Sequence, residues 1–103
     1  MAQDDAGEMN AVREDPARQR YELATPDGPA VAAYERDRDR LVLTHTAVPS
    51  PQEGRGVATR LIAGVLADAR ARGLRIVPAC PFVSAYLARH PAERDLVAES
   101  ATS

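Results

Sequence analysis

Residues 41–73 read LVLTHTAVPSPQEGRGVATRLIAGVLADARARG, and this stretch decides the fold. Its first eight residues, Leu41–Val48, are rich in β-branched and apolar side chains and form the strongest strand signal in the chain. Strict alternation puts Leu41, Leu43, His45 and Ala47 on one face and Val42, Thr44, Thr46 and Val48 on the other. With apolar residues on both, the expectation is a central strand covered on both sides. Pro49-Ser50-Pro51 stops it. From Gly56 the period turns helical, with Val57, Leu61 and Val65 in one row and Ala58, Ile62, Leu66 and Ala69 in the next. Gly73, following Arg70 and Arg72, marks the end of that helix.

Working outward, Arg20–Thr25 is a weak strand that stops at Thr25-Pro26-Asp27-Gly28, a turn signal. Ala30–Glu35 is a second strand, joined to the third by the charged run Arg36–Arg40. Leu74–Ala79 is a short buried strand, and Pro81 opens a second helix that Pro91 closes. The order is β-β-β-α-β-α. This predicts an α+β fold, an antiparallel meander finished by one βαβ unit, with two helices on a central mixed sheet. A right-handed crossover makes strand 74–79 parallel to strand 41–48.

The chain has 103 residues, enough for one small core. Residues 1–17 carry five acids against Arg13 and read as a disordered acidic leader; 99–103 reads as a flexible tail, leaving 18–98 as the folded domain. All thirteen cationic side chains are arginines, so no lysine serves as a Schiff-base nucleophile or phosphate-loop residue. One cysteine excludes an intrachain disulfide and any cysteine-cluster metal site. No tryptophan and four other aromatics argue against a nucleic-acid platform. Without a signal-peptide pattern or a bilayer-length apolar run, a cytoplasmic protein that engages no membrane is expected.

The segment between strand and helix, Glu53-Gly54-Arg55-Gly56-Val57-Ala58, is the most informative for chemistry. Two glycines allow a sharp turn and leave backbone N–H groups open at a helix N-terminus, a geometry suited to phosphate. A ligand-free turn has the same pattern. It is neither a dinucleotide fingerprint, lacking the third glycine, nor a Walker loop, lacking Gly-Lys-Ser/Thr.

This loop, Thr44-His45-Thr46 before it, and Pro78-Ala79-Cys80-Pro81-Phe82 with Tyr86 and Arg89-His90-Pro91 after it resemble the GNAT superfamily of N-acetyltransferases. More narrowly they are similar to its minimal single-domain YjdJ-like branch, over roughly residues 20–97. The resemblance implies acetyl-CoA as cosubstrate, no metal, and a primary amine as acceptor, on a small molecule or a protein lysine or N-terminus. It places the pyrophosphate on Gly54, Arg55, Gly56, Val57 and Ala58, with Thr59 and Arg60 following, and the pantetheine arm along the strand edge at Thr46, Ala47 and Val48. Glu53 departs from the motif's Arg or Gln, so its side chain is expected to face solvent. His45 would be a general base, although Ala47 stands where the branch often has an acid. Cys80 would lie beside the thioester, orienting it, acting as an acid or taking the acetyl group transiently; its alternative is a buried small hydrophobe. Tyr86 would protonate the leaving sulfur or simply pack in the core. Arg89 and His90 would reach phosphate or substrate, or sit as a solvated helix end. Two other readings stand beside the enzyme: a CoA-binding module without catalysis, and a small interaction protein using its acidic leader. A monomer or a dimer fits so short a chain.

Overall fold

The computed structural model of the chain describes residues 12–98. Five strands form one sheet: β1 (Arg13–Asp15), β2 (Arg20–Leu23), β3 (Ala30–Asp37), β4 (Arg40–Ala47) and β5 (Arg75–Pro78). They lie in the order β1-β2-β3-β4-β5, antiparallel through β4, with β5 parallel to β4. Helix α1 (Val57–Ala71) makes the crossover and α2 (Pro81–Arg89) follows β5. The α+β meander with its closing βαβ unit is the expected one.

Alternation along the strands builds a one-sided core. Tyr21, Leu23, Ala30, Ala32, Tyr34, Leu41, Leu43 and Ile76 are buried, while Val31, Ala33, Val42 and Val77 between them are half-buried. On the buried face α1 contributes Val57, Leu61, Ile62, Val65, Leu66 and Ala69, and α2 adds Val83, Tyr86 and Leu87. At about 1.5–3 kcal/mol for each fully buried large aliphatic, this layer carries most of the stability. Among the described residues the central strand is therefore covered on one side, not both. Small residues such as Ala33 and half-buried valines tolerate that openness.

Two further expectations are corrected. The face assignment of β4 fails beyond Leu43, because a register shift against Ala33/Tyr34 pairs Tyr34 with Leu43 and Ala33 with His45. Thr44 is the extra residue of this bulge, so Thr46 rejoins the buried face opposite Ala32 and His45 turns to the open face. The leader expected over residues 1–17 also contains β1, whose Arg13, Glu14 and Asp15 pair with Glu22, Tyr21 and Arg20. The charge of Glu14 is matched rather than solvated. Glu14 accepts from Arg72 at 2.7 Å and from the Tyr34 hydroxyl, and Val12 seats on Gly64 of α1. The rest of the leader, 1–11, and the tail 99–103 lie outside the described residues.

Candidate functional site

Strands β4 and β5 part company at their carboxyl ends. Their pairing runs from Arg40↔Arg75 to Leu43↔Pro78, and the Ala79 N–H adds a bond to the Leu43 carbonyl at 3.0 Å. Beyond that point β4 continues to Ala47 with β3 on one side and, among the described residues, no strand on the other. Both helices begin at this open end, so two positive dipole ends converge where the parallel strands finish.

The loop into α1 has the geometry its glycines require. Gly54 and Gly56 sit at φ 80° and 79°, a left-handed conformation that L side chains avoid. Gly56 is the N-cap of α1 and offers no side-chain cap. Its carbonyl accepts from Arg60, but among the described residues the N–H groups of Gly56, Val57, Ala58 and Thr59 have no backbone acceptor. A Cβ built on Gly54 or Gly56 would meet nothing within 4 Å. The donors thus open onto free space, which suits an anion. A cleft of about 270 Å³ lies over them, lined by Val48, Gln52, Glu53, Gly54, Gly56, Val57, Ala58, Thr59 and Phe82. Gln52 donates to Asp27 at 2.7 Å, which fastens the loop to the β2–β3 turn. The Glu53 side chain is at an exposed position, as are Arg55 and Arg60. Those two arginines border the site rather than line the cleft.

A larger groove of about 450 Å³ runs along Pro78, Ser84, Leu87, Ala88, Arg94, Val97 and Ala98. Its lining has neither the glycines nor the open helix N-terminus, so the smaller cleft is the better candidate.

Cys80 is the N-cap of α2, 5% exposed, at the inner end of the gap between the strands. Its sulfur lies 3.4 Å from Thr46 Oγ1. Burial pushes the thiol up, yet the Thr46 hydroxyl, the amides of Val83 and Phe82 and the Thr46 N–H outweigh it, leaving the thiol below its ordinary value. The two helix amides act on the sulfur without closing a regular cap hydrogen bond. Tyr86 is 6% exposed, its ring stacked on His90 at 4.0 Å between centroids. The Tyr86 carbonyl lies 2.8 Å from His90 Nδ1, which fixes that ring. Burial, then the charge of Glu93, raise the Tyr86 hydroxyl, so it keeps its proton at neutral pH.

The structure brings Cys80 together with Thr46, and joins the loop Gly54–Thr59 to Val48 and Phe82. It leaves His45 exposed on the opposite face of the sheet. Phe82 enters the sequence reading only within the resemblance, and neither it, Gln52 nor the side chain of Thr46 was given a role there. The proline before Phe82 does mark it as the first turn of a helix, but its facing the loop is a tertiary fact. Among the described residues, no group of three or more metal-ligating side chains occurs and no helix is long and apolar enough to cross a membrane.

A mixed sheet splayed beside a glycine-turned helix N-terminus sets open backbone donors next to the end of β4. The family model described as GCN5-related N-acetyl-transferase matches residues 20–96. An NMR solution structure of a GCN5-like protein from Staphylococcus aureus superposes with a TM-score of 0.65 at 21% identity. The match covers 86% of this chain and 90% of that one, and at this identity it speaks for the fold. The chain belongs to the GCN5-related N-acetyltransferase family.

Proposed function

We propose that this protein binds acetyl-CoA and transfers its acetyl group to a primary amine by direct attack within a ternary complex. The observation that carries the reading is the set of open N–H groups from Gly56 to Thr59 beneath a cleft that is also lined by Val48, just past β4, and Phe82, in the first turn of α2. The residues fit the ligand: Gly54–Thr59 would hold the diphosphate by backbone donors, with Arg55 and Arg60 adding positive charge nearby. The edge at Thr46, Ala47 and Val48 would bond the pantetheine amides as a neighbouring strand does.

In the transfer the amine lone pair forms the new C–N bond while the thioester C–S bond breaks. A β4 backbone N–H would steady the developing oxyanion. Tyr86, kept protonated by burial, would supply the proton to the departing sulfur. His45 on the open face would accept the ammonium proton if the acceptor approaches from that side of the gap. The single domain would comprise residues 18–98 together with β1.

The test is release of CoA thiol from acetyl-CoA against a panel of amines that includes polyamines and lysine-containing peptides. Acceptor-dependent release is expected. Tight CoA binding without it would leave a binding module instead, and no CoA affinity at all would overturn both.

A further inference from the structure

The groove of about 450 Å³ takes no part in the chemistry above. It shares no lining residue with the cleft: on α2, Phe82 lines the cleft, whereas Ser84, Leu87 and Ala88 line the groove. Pro78, Val97 and Ala98 complete an apolar trough, and Arg94 is the one charged residue among those that line it. The turn Pro91–Leu96 explains how that arginine comes to be there. At three residues per turn, neighbours in a 3₁₀-helix point about 120° apart. Glu93 and Asp95 both turn to Arg70, at 3.0 and 2.8 Å, so Arg94 between them points another way, to the groove. With both acids of the turn engaged, Arg94 has no acidic partner among the described residues.

The walls select the rest of the ligand, because their backbone is already bonded. The Ile76 carbonyl accepts from the Ala98 N–H at 2.9 Å, and the Leu87 carbonyl from the His90 N–H at 3.2 Å. Pro78 has no N–H, and its carbonyl accepts from the Ser84 hydroxyl at 3.2 Å. A peptide lying here would bury an N–H and a C=O at each residue with nothing to bond them. A hydrocarbon chain brings no such groups.

We propose that this groove is a binding site for an aliphatic carboxylate. Its chain lies on Pro78, Leu87, Ala88 and Val97, and its carboxylate meets the Arg94 guanidinium, whose paired N–H donors match two carboxylate oxygens. The volume falls within the range of about 300–1,000 Å³ usual for small-molecule sites, and an apolar lining with one polar anchor is their common plan. The site goes beyond the acetyl-CoA reading and stands or falls without it.

The test titrates hexanoate, octanoate and decanoate, each below its micelle concentration, into the full chain while NMR follows the methyl groups of Leu87, Ala88 and Val97. Saturable shifts at all three are expected, with affinity rising by up to about fourfold for each added CH₂. Octanol should bind more weakly than octanoate. Arg94→Gln should weaken octanoate roughly tenfold and abolish its advantage over octanol. Ala88→Phe, at an exposed helix position, fills the trough and should remove the shifts. Equal binding of octanol and octanoate, or an Arg94→Gln variant that binds as wild type does, overturns the carboxylate assignment. Shifts confined to Val48, Val57 and Ala58 overturn the site, since the carboxylate would then sit on the open donors of α1. Two further results overturn it by naming another occupant. Methyl shifts on raising the protein concentration alone would give the groove to a second copy. Octanoate binding that appears only after residues 99–103 are removed would give it to the chain itself.

Discussion

The two ends of α1 are built on opposite plans. At its N-terminus the backbone donors from Gly56 to Thr59 are left open, the cap supplies no side chain, and a cleft lies above them. At its C-terminus nearly every group is matched. Arg72 binds Glu14 and Asp68 at 2.7 and 2.8 Å, Tyr21 donates to Asp68 at 2.6 Å, and Arg70 grips Glu93 and Asp95. Gly73 at φ 72° closes the helix, with the Leu74 N–H on the Ala69 carbonyl at 2.8 Å. One end keeps its backbone donors open; the other is finished by the protein itself. A small domain thus keeps its polar pairing away from the place where unpaired donors are useful.

The largest effect should come from closing the open end. Gly56→Val forces a β-branched residue into a left-handed backbone and puts a side chain in the free space above the donors. Several charge-assisted hydrogen bonds to diphosphate would go with it, so affinity for CoA should fall roughly 100-fold or more. Isothermal titration measures this, and circular dichroism shows whether the variant is still folded. Unchanged affinity would move the anion site elsewhere.

The matching test in the middle of the helix is Gly64→Ala. In an ordinary helix that change gains about 1 kcal/mol. Here the new Cβ would meet Val12 at 2.5 and 2.7 Å, which no side chain accepts without movement. Overpacking of about 1–3 kcal/mol should outweigh the propensity gain, so the variant unfolds at lower urea with CoA affinity intact. A stabilised variant would show that β1 is held by its charges alone.

How much of this was readable in the chain follows from the same contrast. The strand, the glycine loop and the helix of residues 41–73 announce themselves through local patterns: alternation, positive-φ glycines and a 3.6 period. What escaped the sequence depends on partners far along it. The bulge at Thr44 leaves no mark in a run of β-branched residues, yet it moves His45 and Thr46 to opposite faces. β1 looks like acidic leader until Arg72, 58 residues away, is brought against Glu14. Cys80 was visible as a helix-capping thiol, whereas its contact with Thr46 spans 34 residues. Local rules read the donors; only the fold pairs them.

The matched end also carries a pH signature. Burial, then the hydrogen bond to Glu14 and its charge, raise the Tyr34 hydroxyl to about 12, and burial and Asp68 raise Tyr21 as well. A raised folded value means the stabilisation is complete below the unfolded tyrosine value of about 10. It is lost as pH climbs through 10 toward 12. Urea midpoints should therefore decline over that window, and Tyr34→Phe should flatten part of the decline. A Tyr34→Phe profile parallel to wild type would remove Tyr34 from the account.

The smallest effect belongs to the most conspicuous ion pairs. Arg70 reaches Asp95 at 2.8 Å and Glu93 at 3.0 Å, and its guanidinium holds the Asp95 carboxyl below the usual carboxylate range. Yet the Arg70 and Asp95 side chains are 48% and 61% exposed, so water and salt screen most of what they exchange. Asp95 would lend stability above the carboxylate range and lose it as pH falls, but by an amount that solvent keeps slight. Arg70→Gln should leave CoA affinity unchanged and move the thermal midpoint barely, with any difference vanishing in concentrated salt. A large loss that persists in salt would mean that the turn Pro91–Leu96 is anchored by these charges. Its anchor would then not be the burial of Leu96 and the bond from Ala98 N–H to the Ile76 carbonyl at 2.9 Å. The finished end of α1 would in that case be finished by electrostatics rather than by packing.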